Sequence, residues 1–232
     1  MDFTHERFEY TRRYVREVFG AEDEQLAHLM ERAVAAGLPD IAVSPDVGHL
    51  LQLLVAMSRP PSSSARAQRV VELGTLAGYS TIWLARGLAP GGQVVSVEIE
   101  ETHARFAERE IAAAGVGDRV VVRRGAALDE LRRMQAELGD DSVDLFFFDA
   151  VKQQYQAYWD AARTMLRPGG LLVADNVLGA GWWIDEVGEP NREAIDVFNR
   201  AVAADAELDV ACVPLREGVL VARKREAAGR SR

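Results

Sequence analysis

Two acids, an amide and a lysine fall in two short strings of the chain. The first is Phe146-Phe147-Phe148-Asp149-Ala150-Val151-Lys152 and the second is Leu171-Leu172-Val173-Ala174-Asp175-Asn176. Each is an apolar, strand-forming run that ends in polar residues. If the two strands are neighbours, Asp149, Asp175 and Asn176 arrive at one rim of a sheet. Two carboxylates and an amide oxygen are hard oxygen donors, which suit Mg²⁺ or another hard divalent cation with waters or substrate oxygens completing the shell. No cysteine or histidine stands near either string, which argues against zinc. A cation there would stabilise the deprotonated form of a bound hydroxyl. Lys152, three residues after Asp149, is the candidate general base, because desolvation and a neighbouring cation would lower its pKa.

A second string, Val70-Val71-Glu72-Leu73-Gly74-Thr75-Leu76-Ala77-Gly78-Tyr79, reads as strand, turn and helix start. Gly74 and Gly78 let the backbone approach a ligand closely. The spacing departs from the G-x-G-x-x-G dinucleotide fingerprint, since Leu76 and Tyr79 fill the positions that would need glycine. That counts against a nicotinamide oxidoreductase. What remains is an acid, Glu72, on the strand side of a glycine loop, with the Ser80 hydroxyl just beyond it. About 20 residues further on, at the end of the next strand, Glu98 is placed to accept two ribose hydroxyls. The small-residue stretch Gly125-Ala126-Ala127 can lie against an adenine ring.

These strings need a doubly wound α/β scaffold. Strands are expected at Arg69–Leu73, Gln93–Glu98, Arg119–Arg123, Ser142–Asp149 and Gly170–Asp175. Helices are expected between them at Tyr79–Arg86, Glu101–Ala114, Leu128–Leu138 and Gln153–Leu166. The strands are apolar on both faces, as suits a parallel sheet covered on both sides. Upstream, Ala27–Ala36 and Asp46–Met57 read as helices, Ser44-Pro45-Asp46 is a helix start with proline in its first turn, and Ser58–Ala67 is a loop. Leu208–Pro214 and Gly218–Ala222 read as a closing hairpin. The first two dozen residues carry no clear signal. Tyr155 reads as a packing aromatic. The histidines His5, His28, His49 and His103 read as ordinary surface or helix residues, and the loop Leu178–Pro190 could place Trp182 and Trp183 against an aromatic acceptor or a partner subunit.

The string Glu-Leu-Gly-Thr-Leu-Ala-Gly-Tyr-Ser-Thr resembles the first motif of class I S-adenosylmethionine (AdoMet)-dependent methyltransferases. Together with Asp149-x-x-Lys152 and Asp175-Asn176, it resembles the cation-dependent O-methyltransferases that include the catechol and caffeoyl-CoA enzymes. Relatives often carry Asp-Ala-Asp-Lys where this chain has Asp149-Ala150-Val151-Lys152. The resemblance implies a Rossmann-like, mostly parallel sheet of seven strands ending in an antiparallel hairpin, with extra N-terminal helices. The resemblance covers about residues 25–225, and the length of the chain fits one domain over residues 1–232, with helices and a lid over 1–60, a core over 69–225 and a tail over 226–232. It implies that AdoMet is held by Val43, Glu72, Gly74, Gly78, Ser80, Glu98, Ala127 and Asp149. Ser80 would lie near the cofactor carboxylate, and the lid backbone at Val43 would touch the methionine end. It implies metal ligation by Asp149, Asp175 and Asn176, Lys152 as the base, a small catechol-type phenol as acceptor, and a homodimer. The alternative acceptor is a non-catechol hydroxyl of a natural-product intermediate.

Composition fits that picture. The chain has 232 residues, 48% of them hydrophobic, and a formal net charge of −9, which disfavours a nucleic-acid partner. No apolar run approaches the roughly 18–20 residues that span a bilayer, and the N-terminal residues lack the pattern of a secretory signal. With a single cysteine, Cys212, no internal disulfide can form. A cytoplasmic location is the expectation.

Overall fold

The computed structural model describes residues 5–60, 66–179 and 188–226. Four helices come first: α1 (His5–Phe19), α2 (Glu24–Ala27), α3 (Leu29–Ala35) and α4 (Pro45–Met57). Strands and helices then alternate through β1 (Arg69–Leu73), α5 (Tyr79–Gly87), β2 (Gln93–Glu98), α6 (Glu101–Ala113), β3 (Val120–Arg124), α7 (Ala127–Leu138), β4 (Val143–Phe148), α8 (Tyr155–Ala162), β5 (Leu166–Ala174) and α9 (Pro190–Ala204). The hairpin strands β6 (Leu208–Val213) and β7 (Val219–Lys224) close the chain. They form one seven-stranded sheet in the order β3-β2-β1-β4-β5-β7-β6. The first five strands run parallel, and β7 pairs antiparallel with both β5 and β6.

Every residue of β4 is buried. Leu145 and Phe147 pack on one face with Val70, Val173, Ile82 and Leu51. Phe146 and Phe148 pack on the other with Val71, Leu172, Tyr155 and Phe198. The period-2 alternation of a strand thus feeds two separate hydrophobic layers from one apolar run. The chain reverses its strand order at β1 and β4, which are neighbours in the sheet. Such a switch point leaves a crevice beyond the carboxyl ends of the strands.

Three elements differ from the sequence reading. The N-terminal residues form a helix of 15 residues. The expected helix over 27–36 is broken at His28, where φ is −107° and ψ is 1°. Leu166, expected to end a helix, pairs with Val143 instead and opens β5. Among the described residues, no helix is long and apolar enough to cross a membrane.

Candidate active site

A cavity of about 960 Å³ lies at the switch point. It gathers Val43, Gly74, Ser80, Glu98, Ala127, Asp149, Lys152 and Asn176 in one wall. The other predicted site residues, Glu72, Gly78 and Asp175, stand behind that wall. The expected stacking residues Trp182 and Trp183 lie outside the described residues.

The glycine loop is stitched to both neighbouring strands. The Gly74 amide donates to the Val97 carbonyl at 3.0 Å, and the Asp149 amide donates to the Leu73 carbonyl at 2.9 Å. Gly74 has φ +99°, and a Cβ there would sit 2.2 Å from the Asp149 carbonyl oxygen. Only glycine fits, so the loop after β1 lies directly against the loop after β4. Gly78 has a different task. It is the left-handed residue before α5, and a Cβ would meet Ile111 at 3.1 Å. Its bareness serves the packing of α5 on α6.

Glu72 is fully buried and surrounded by hydroxyls. Ser80 and Ser96 each donate to it at 2.6 Å, and Thr81 donates as well. Burial pushes its carboxyl up to about 7, and the hydroxyl donors oppose that rise. The Ser80 hydroxyl is therefore not free for a ligand carboxylate, as the sequence reading had it; it is engaged with Glu72. Glu98 reaches the cavity and also organises it. Its Oε2 accepts from the amides of Leu76 (2.8 Å) and Thr75 (3.2 Å), and its Oε1 accepts from the Glu100 amide at 2.9 Å. A carboxylate has about four lone-pair sites, so capacity for a further donor remains. His103, expected to be ordinary, lines the cavity with its Nδ1 3.7 Å from Glu98.

The rim after β4 and β5 carries the reactive groups. Lys152 Nζ donates to Asp149 Oδ1 at 2.6 Å and to the Tyr155 hydroxyl at 2.8 Å. Tyr155 donates in turn to the Phe148 carbonyl at 2.9 Å. This aromatic therefore both packs and orients the lysine through its hydroxyl. Burial alone would lower the Lys152 pKa, but its contacts with Tyr155 and Asp149 outweigh burial and hold it above the ordinary lysine value. Tyr155 and the near Asp149 carboxylate thus stabilise the ammonium, and the expected lowering is tied to a cation beside them.

Asp175 is buried, and its Oδ1 has no hydrogen-bond partner. Burial and the Asp149 charge together raise its carboxyl above the usual range. Asn176 sits at φ +58°, a left-handed conformation that asparagine tolerates better than most residues. Its Nδ2 donates to Glu217, which leaves the amide oxygen available. An orphaned carboxylate oxygen, a second carboxylate close enough to disfavour its charge, and a free amide oxygen form a donor set that fits a hard divalent cation. Among the described residues, no three His, Cys, Asp or Glu side chains cluster in this way; the amide is what completes the set.

Sequence reasoning missed several contributors. Arg216, at φ +48° in the β6–β7 turn, ties the lid by donating to the Ala42 carbonyl at 2.9 Å. Arg192 and Asn191 enter the wall from the start of α9. These positions lie 40 to 70 residues downstream of Asp149, and no local spacing marks them.

The family model described as O-methyltransferase matches residues 16–225. A catechol O-methyltransferase of Niastella koreensis is 38% identical over 203 residues, covering 87% of this chain and 88% of the relative. A catechol O-methyltransferase of Mycobacterium tuberculosis is 42% identical over 173 residues, covering 75% and 74%. The solved O-methyltransferase from Bacillus cereus in complex with SAH superposes with a TM-score of 0.82 at 36% identity, over 93% of this chain and 97% of that one. The O-methyltransferase TomG from Streptomyces achromogenes, in complex with SAM, gives 0.80 at 30% identity, over 97% and 100%. The chain belongs to the O-methyltransferase family and is an AdoMet-dependent O-methyltransferase of Rossmann-like fold.

Proposed function

We propose that this enzyme transfers the AdoMet methyl group to a phenolic hydroxyl of a small catechol-type acceptor, with a hard divalent cation held by Asp149, Asp175 and Asn176. One observation carries the reading. Asp175, buried beneath the cavity wall, keeps an unpartnered oxygen beside a second carboxylate, an arrangement that is costly unless a cation joins it. The two relatives that are catechol O-methyltransferases point the same way.

When bound, such a cation would supply positive charge that stabilises a phenolate and orients two adjacent oxygens. The protein's own groups do the rest. Glu98 and the glycine loop hold the nucleoside half of the cofactor, and the lid at Val43, tied by Arg216, covers the methionine half. Tyr155 fixes the Lys152 ammonium at the rim. Lys152 accepts the hydroxyl proton once the Asp149 charge is engaged by another partner, because that charge is what holds it protonated here. Methyl transfer brings together a phenolate and a sulfonium and cancels both charges, so an enclosed site that excludes water favours it. TomG is involved in tomaymycin synthesis, and the likeness to it favours a second reading, in which the acceptor hydroxyl belongs to a natural-product intermediate.

The test is turnover with catechol and with a matched monophenol, with Mg²⁺ and with excess chelator. Catechol turnover that chelator abolishes and Mg²⁺ restores is the expected result. Full activity in chelator sinks the cation, and equal turnover of the monophenol sinks the catechol. For the base, Lys152→Ala should lower kcat by roughly a hundredfold while the Kd for S-adenosylhomocysteine stays within about threefold. Unchanged kcat would remove Lys152 from proton transfer.

A further inference from the structure

We infer that Arg192 sets acceptor specificity and that it selects aromatic hydroxyl acceptors bearing a carboxylate. The inference rests on the catechol reading and adds the group that the acceptor carries away from its reacting oxygen.

Arg192 lies in the first turn of α9. Its backbone amide donates to the N-cap residue Glu189 at 2.9 Å. The helix start is tied to the catalytic turn, since Gln153 Nε2 donates to Asn191 Oδ1 at 3.3 Å, one residue from Lys152. Arg192, Asn191 and Ile195 line the same cavity as Lys152 and Asn176.

The charged groups on this side of the cavity are otherwise engaged. Lys152 pairs with Asp149, Glu217 accepts from Asn176, Arg216 donates to Ala42, and Glu189 caps α9. Arg192 differs. Its Nε is buried and has no hydrogen-bond partner, and among the described residues no carboxylate pairs with its guanidinium.

Arg192 is half-buried, and its guanidinium keeps its full positive charge at the cavity with no carboxylate beside it among the described residues. Its terminal nitrogens can give a carboxylate two parallel charge-assisted bonds, and the positive end of the α9 dipole favours the same anion. A neutral acceptor leaves that charge unpaired.

The test compares 3,4-dihydroxybenzoate with its primary amide, and 3,4-dihydroxycinnamate with its primary amide, so that two arm lengths are covered. The wild type should prefer an acid over its amide by roughly tenfold in kcat/KM. Arg192→Ala should reduce that acid-to-amide ratio to within about twofold of unity. Arg192→Lys should keep only part of it, because an ammonium cannot make the paired contact. The ratio is the decisive readout, since a purely structural role lowers acid and amide together. If Arg192→Ala does not fold, judged by its thermal unfolding midpoint, the fall in ratio for Arg192→Lys decides. Acids and amides turned over equally well by the wild type, or a ratio unmoved by both substitutions, overturns the assignment and leaves the catechol reading standing. No turnover of any of the four compounds overturns the catechol reading and this inference together.

Discussion

Strand β4 carries a buried carboxylate at its amino end and delivers another at its carboxyl end, and the protein treats them in opposite ways. Asp144 is fully buried and saturated. It accepts from Arg66 at 2.8 and 2.9 Å, from the Arg69 amide at 2.7 Å and from Arg167 Nε at 2.6 Å. Arg167 also reaches the carbonyls of Ser58 and Arg59, so the cluster fastens the segment before β1 to the sheet. At the other end, Asp149 shares its charge with one lysine, and its neighbour Asp175 keeps an oxygen with no partner at all. Both ends are desolvated, yet only one is fully hydrogen-bonded. Saturation marks a carboxylate that holds the fold together. The unfilled lone pair of Asp175 is the one the proposed cation would occupy.

Substitution should separate the two ends cleanly. Asp175→Asn should lower kcat by roughly a thousandfold, while the thermal midpoint of the ligand-free protein holds or rises, because a poorly compensated buried charge is removed. Asp144→Asn should do the reverse. It leaves three arginine contacts short of a charge, at a cost of about 3–5 kcal/mol, which is roughly 10 °C in midpoint for a chain of this size, with kcat within about threefold. Thermal melts and initial rates on both proteins check the pair, and a large stability loss in Asp175→Asn would erase the distinction.

Glu72 falls between these extremes and sharpens the comparison. Its pKa in the folded protein, about 7, lies above the ordinary 4.5. Between those values the native state keeps a proton that the unfolded chain has released, so stability should fall as pH rises through that window. At about 1.4 kcal/mol per pH unit, the loss totals about 3 kcal/mol and levels off above pH 7. Glu72→Gln should flatten the slope in urea unfolding followed from pH 5.5 to pH 8. An unchanged slope would assign the titration to other groups.

Much of this was legible in the chain. Apolar runs ending in acids gave β1, β4 and β5 and put Asp149, Asp175 and Asn176 on one rim, because strand ends are set by local pattern. The helix α1 was not legible. Its exposed Tyr10, Tyr14 and Val18 repeat every four residues but bury little against the core, so the repeat blends into a charged, featureless segment. Leu166 was misassigned because its pairing with Val143 across the sheet overrides the helical run before it. At the site, residue types were readable and their partners were not. The hydroxyl of Ser80 turns toward Glu72, the ammonium of Lys152 is steadied by Tyr155, and Arg192 and Arg216 arrive from distant elements. Each of these depends on a tertiary contact that no spacing rule contains.

The bare α-carbon of Gly74, pressed against the peptide of Asp149, joins the donor half of the enzyme to the acceptor half through main chain alone. The gap that the methyl group must cross is therefore gauged by covalent bonds and sheet pairing, which do not change rotamer. Side chains around the rim can be exchanged over evolutionary time to admit different hydroxyl acceptors while the stroke length of the transfer stays the same.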